Sequence, residues 1–109
     1  MPMNTEDMTT INLLFAVQQW AEDRGIVANS TPIAQLMKTV SELGELADAT
    51  LKRDEAGIKD GIGDVLVTLI IYAQLQGLTI RECLAHAYDT IKDRKGKLTP
   101  EGIFVKEEN

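Results

Sequence analysis

A lone cysteine, Cys83, leaves this chain without an intrachain disulfide and without the paired cysteines of a structural zinc site. A lone histidine, His86, removes the Glu-x-x-His pairs by which helical di-iron proteins hold their metals. No partner residue activates either one, so both are expected to be structural. Aromatic residues make up only 5% of the chain, and any core must therefore be aliphatic. Positive charge is scarce too. Eleven lysines and arginines against 17 acids give a net charge of -6, which argues against a nucleic-acid polymer as partner. A small phosphate-bearing ligand stays compatible if a cation lies between it and the protein. The longest charge-free stretch, VLVTLIIYAQLQG, is too short to span a bilayer, and no membrane partner is expected. The opening MPMNTEDMTT is polar and acidic, unlike a signal peptide, and a reducing, cytoplasmic setting is expected.

What the chain does contain is helical periodicity. With 109 residues, 44% hydrophobic and 26% charged, it is expected to form one domain over residues 1–109. Ile11, Leu14, Phe15, Val17 and Ala21 recur at helical spacing over about 10–24, before Gly25. A second helix opens at NSTP, where Thr31 can cap and Pro32 suits the first helical position. Ile33, Leu36, Val40, Leu43, Ala47 and Leu51 then form one apolar stripe down to about 52, and RDEAG reads as a loop. A third helix is expected over about 58–77. A fourth, over about 79–95, opens with a Thr79/Glu82 capping box and stops at Gly96. From about 98 a non-helical tail follows, in which only GIFV reads as extended. The fold class is all-α, a four-helix bundle or a close relative. From 65 to 75 the third helix is apolar nearly all round and must be covered on every side. That predicts a homodimer or homotetramer that completes the core.

Glu42 and Glu45, with Lys38 one turn earlier, fall on a narrow arc of the second helix, opposite its apolar stripe. Alone, such an arc is an ordinary solvated face. Asp60 and Asp64 differ, because their face continues as Val67, Ile71 and Leu75. Carboxylates at the edge of a core are costly unless paired or bound to a cation. Lys38 and Lys59 are the only basic residues nearby, so a hard divalent cation is the economical partner. An all-carboxylate set on two helices suits Mg²⁺ or Mn²⁺ and phosphate chemistry rather than redox chemistry.

The two acidic pairs and the helix after them resemble the MazG-like nucleoside triphosphate pyrophosphohydrolases, whose pattern is Glu-Glu-x-x-Glu, a spacer, then Glu-x-x-Asp. SELGE supplies Ser41, Glu42 and Glu45, and DGIGD supplies Asp60 and Asp64. GDVLVTLIIYAQLQGL resembles the hydrophobic helix that follows the family's Asp, and AYDTIKDRKGKLTPEGIFVKEE resembles the end of short, single-domain, phage-type members. The resemblance runs from about Phe15 onward. It departs at Ser41, where the pattern has its first Glu, and at Gly61, where it has the Glu of Glu-x-x-Asp. Asp60 shares the Asp64 face and is placed to take over that ligand role.

This resemblance implies the family's all-α fold and a Mg²⁺ cofactor (or Mn²⁺) held by Glu42, Glu45, Asp60 and Asp64. It further implies hydrolysis of a nucleoside triphosphate to monophosphate and pyrophosphate, with Glu42 or Glu45 as the catalytic base. A catalytically silent helical scaffold or partner-binding protein of the same fold is the alternative that Ser41 and Gly61 keep open. Among substrate contacts, Lys38 can reach a phosphate or pair with Glu42. Lys92, Arg94, Lys95 and Lys97, after the fourth helix, can clamp phosphates or complement the helix dipole. Trp20 can stack on a base or pack in the core.

Overall fold

The computed structural model describes residues 4–107. After a single 3-10 turn at Thr5–Asp7 come α1 (Thr10–Asp23), a one-turn α2 (Ile26–Asn29), α3 (Pro32–Leu51), α4 (Glu55–Leu75) and α5 (Ile80–Ile91). The chain closes on a small antiparallel hairpin, β1 (Gly96–Leu98) with β2 (Phe104–Lys106). The fold is all-α apart from that hairpin, and the four long helices occupy the four segments marked by the periodicity.

Side-chain caps fix the helix starts, each satisfying a backbone N–H that the first turn leaves free. Thr9 accepts from the Asn12 N–H, Thr31 from Ala34 and Asp54 from Gly57. Thr79 accepts from the Glu82 N–H while Glu82 accepts from the Thr79 N–H, completing the expected capping box. Two expectations are corrected. RDEAG is not a loop throughout: Asp54 caps α4, which begins at Glu55 rather than near 58. The last helix ends at Ile91 rather than 95, because Gly96 is already the first residue of β1.

The close pairs Thr39–Thr68, Leu46–Gly61 and Ala49–Gly57 show that α3 and α4 lie antiparallel. The Thr39 and Thr68 hydroxyls, both buried, meet at 2.8 Å across this seam. α1 packs along α4, where the Gln74 amide donates to the Gln18 carbonyl, and Ala21, Ile70, Ile71 and Ala73 are buried. α5 leaves α4 at an angle of 100° and buries none of its residues. Among the described residues no single helix is long and apolar enough to cross a membrane.

The face of α3 that meets α4 is small and polar. Its apolar stripe points outward, leaving Ile33 64% and Val40 54% exposed. Of the acidic arc, Glu42 is largely enclosed while Glu45 stays exposed. A radius of gyration of 16.6 Å, against about 13 Å for a self-contained domain of this length, records the same openness.

Candidate active site

Glycine lets the two helices approach. A Cβ added at Gly61 would stand 3.0–3.3 Å from side-chain and backbone atoms of Leu46, and one added at Gly57 would stand 3.1 Å from the Ala49 Cβ. Gly61, where the resemblance has a carboxylate, is thus a buried helix contact with no room for a side chain unless α3 shifts. Asp60 beside it remains exposed.

One turn before Leu46, the close seam encloses Glu42, whose side chain is 12% exposed. Its Oε1 lies 3.5 Å from the Lys38 ammonium, whereas its Oε2 is buried and has no hydrogen-bond partner. Glu45 is exposed, and its pKa is raised. The Glu42 carboxylate is the main cause: it can accept a hydrogen bond only from protonated Glu45, and it repels the ionised form. Partial desolvation and Asp64 push in the same direction, and Lys38 opposes them.

Glu45, Asp60 and Asp64 line one open cleft of about 330 Å³ between the C-terminal half of α3 and the N-terminal half of α4. Asp48, Asp54 and Lys52 line it as well. Asp54 is engaged in capping α4. Asp48 holds Lys52 at 2.9 Å, which raises the lysine's pKa. Among the described residues no lysine or arginine forms an ion pair with Glu45, Asp60 or Asp64. No three acidic, histidine or cysteine side chains among the described residues are drawn together into a finished ion cage. The carboxylates line a cleft and do not meet at one point. The donor set nevertheless fits a hard divalent cation: all its ligand atoms are carboxylate oxygens, one of them is buried without a partner, and Lys38 and Lys52 already pair with Glu42 and Asp48.

The other expected site residues lie elsewhere. Trp20 is half exposed on α1, outside the cleft lining. Lys92 pairs with Asp89 at 3.4 Å. Arg94 and Lys95 line a separate hollow with Asp89, Asp93, Lys106 and Glu107. From Asp64, α4 runs on for about 16 Å and α5 turns away for roughly 18 Å, so these cations stand on the order of 20 Å from their own cleft. Cys83 and His86 are exposed on α5 beside Glu82, not packed in a core. Asp48, Asp54 and Lys52 are the charged cleft residues that the motif does not contain. Asp48 was visible in the sequence as a third acid one turn after Glu45; Lys52 stood at the end of the expected second helix, and Asp54 sat in RDEAG, which reads as a loop.

The sequence model of the MazG nucleotide pyrophosphohydrolase domain matches residues 30–99. A protein of Haemophilus phage HP1 (strain HP1c1), described as an uncharacterized 18.2 kDa protein in the rep-hol intergenic region, is 44% identical over 62 residues. That match covers 57% of this chain but only 38% of the relative's own length. Among solved structures, the cyanophage S-2L MazG-like pyrophosphohydrolase, bound to dGDP and three catalytic Mn²⁺ ions per active site, matches with a TM-score of 0.71. The match covers 96% of this chain and 99% of that one at 19% identity, a likeness of fold.

Proposed function

Because this chain belongs to the MazG nucleotide pyrophosphohydrolase domain family, we propose that it hydrolyses a nucleoside triphosphate to the monophosphate and pyrophosphate with the help of a divalent cation. One observation carries this reading: Glu45, Asp60 and Asp64 line a single cleft, with the unpartnered Oε2 of Glu42 buried in the seam where α3 and α4 meet. Glu42, Glu45, Asp60 and Asp64 would hold Mg²⁺ or Mn²⁺, and the Mn²⁺ in the cyanophage protein agrees with that choice. Once bound, the cation would offset the charge of the polyphosphate and lower the pKa of the attacking water.

The chain's own groups divide the remaining work. Water attacks beside the α-phosphate, the bridge to the β-phosphate breaks, and pyrophosphate leaves. The proton of the water passes to Glu45 or Glu42. Glu45 is favoured, because Glu42 already raises its affinity for a proton. Lys38, now 3.5 Å from Glu42, is free to turn to a phosphate once a cation satisfies that carboxylate. Trp20 offers a half-exposed indole for stacking on a base. A second copy, in a homodimer or homotetramer, covers the outward stripe of α3, and the working environment is a reducing cytoplasm in which Cys83 stays a thiol.

The test is a panel of ribo- and deoxyribonucleoside triphosphates with and without Mg²⁺ or Mn²⁺, assayed for monophosphate and pyrophosphate. The parent turns over only with the cation, and Glu45→Ala or Asp64→Ala lowers turnover ~100-fold or more at unchanged helical content. Variants that turn over like the parent would contradict the assignment. A silent scaffold would show neither turnover nor any rise in Tm on adding Mg²⁺.

A further inference from the structure

The second residue past the end of α1, of α3 and of α4 lies in the left-handed region each time. After α1 it is Gly25 at φ 74° and after α4 it is Gly77 at φ 73°, the residue type that adopts this conformation without strain. After α3 it is Arg53 at φ 56°, among the described residues the only non-glycine with a positive φ. The ends of α3 and α4 are closed by the same pair of hydrogen bonds. The Asp54 and Arg53 N–H groups donate to the Ala49 and Thr50 carbonyls at 3.0 and 3.1 Å, and those of Leu78 and Gly77 to Ala73 and Gln74 at 2.8 and 3.1 Å. One copy of the motif thus uses glycine, and the other keeps a side chain against the strain of a Cβ there. No ion pair within the chain offsets that strain. Arg53 is exposed and, among the described residues, pairs with no acid, although Asp54 and Glu55 follow it directly.

Arg53 lies between Lys52 and Asp54, both of which line the acidic cleft. The two cleft acids at this end are already engaged: Asp48 holds Lys52 at 2.9 Å, and Asp54 caps α4 through the Gly57 N–H. Glu55, in the first turn of α4, is the remaining acid beside Arg53, and Lys59 stands one turn after it. We propose, resting on the hydrolase reading above, that Arg53 binds the two outer phosphates of the triphosphate in its own chain's cleft. From Glu45 to Lys52 α3 advances roughly 10 Å, a span that two phosphates and an arginine side chain cover together. With the α-phosphate beside Glu45 and Asp64, the β- and γ-phosphates extend toward the turn. There the planar guanidinium, which keeps its charge at any working pH, takes them through paired charge-assisted hydrogen bonds. Arg53 is then the residue by which the cleft selects a chain of phosphates over a single one.

The experiment compares Arg53→Gly, which removes the guanidinium and the strain, with Arg53→Ala, which removes the guanidinium and keeps the strain. Arg53→Gly is expected to melt about 2–5 °C above the parent, and Arg53→Ala no higher than the parent. An Arg53→Gly variant that melts no higher shows that the arginine is unstrained and overturns the inference. In the triphosphate assay both variants raise KM roughly tenfold or more, while kcat stays near the parent's. A second readout needs no turnover: calorimetric titration with inorganic pyrophosphate, and separately with a nucleoside monophosphate, both in Mg²⁺. Pyrophosphate is expected to bind the parent and to bind both variants at least tenfold more weakly, with the monophosphate bound alike by all three. Pyrophosphate binding that is absent from the parent or unchanged in the variants overturns the inference, as does an equal loss for the monophosphate. A parent that turns over while both variants keep its KM contradicts the role of Arg53 alone. A parent that binds pyrophosphate through Arg53 but hydrolyses no triphosphate contradicts the hydrolase reading alone.

Discussion

Glu42 and Glu45 sit one turn apart on α3 yet meet different surroundings. The first is enclosed by the α3–α4 seam with one oxygen lacking a partner, and the second is open to solvent. The pairing raises the Glu45 pKa above its ordinary 4.5. A raised folded-state value means that the associated stability is complete below the ordinary pKa and is lost as pH rises through the folded one. Ionised Glu45 therefore opposes folding of the metal-free protein at neutral pH. Glu45→Gln is expected to raise the metal-free Tm above the parent's at pH 7, with the gain fading as both proteins are taken to pH 4, where the parent carboxyl is protonated too. Equal melting curves at pH 7 would contradict this account. The four acids were legible as two pairs at helical spacing. Which way the first pair faces was not, because a stripe of Ile33, Val40 and Leu43 reads as the inward face of any helix. Here that stripe is turned outward.

At the scale of elements, the approach of α3 to α4 depends on Gly57 and Gly61. These glycines stand one turn apart on α4, against Ala49 and Leu46. In the sequence Gly61 reads as a missing carboxylate; in the fold it is a close helix contact with Leu46. Gly61→Leu is expected to lower stability by about 1–3 kcal/mol in urea titration, because the added side chain has no space between the helices. A neutral result would mean that the helices are not in close contact there. The helices themselves were legible from caps and periodicity. The start of α4 was missed because the cap lies inside RDEAG, whose Asp54 and Gly57 are turn-forming residues as well. The hairpin was half legible: GIFV marks β2, whereas Gly96 and Lys97 of β1 carry no strand signal and are extended only by pairing with β2.

For the whole molecule, an α4 apolar nearly all round from 65 to 75, an outward stripe on α3 and an α5 with no buried residue describe an open chain with a small core. The 65–75 run was legible as a helix needing cover on every side, but the openness of the chain around it was not, since that follows from the 100° turn between α4 and α5. Val40→Lys, which places a charge in the middle of the α3 stripe, is expected to shift the light-scattering mass from oligomer toward monomer. A parent that is already monomeric at micromolar concentration would contradict the reading. All the proposed chemistry then rests on one property of the α3–α4 cleft, its capacity to hold a divalent ion. Calorimetric titration of the nucleotide-free protein with Mn²⁺ measures that directly. Saturable binding by the parent, weakened at least tenfold in Asp64→Ala, is the predicted result; a parent that binds no Mn²⁺, or an Asp64→Ala variant that binds it equally well, would contradict the account.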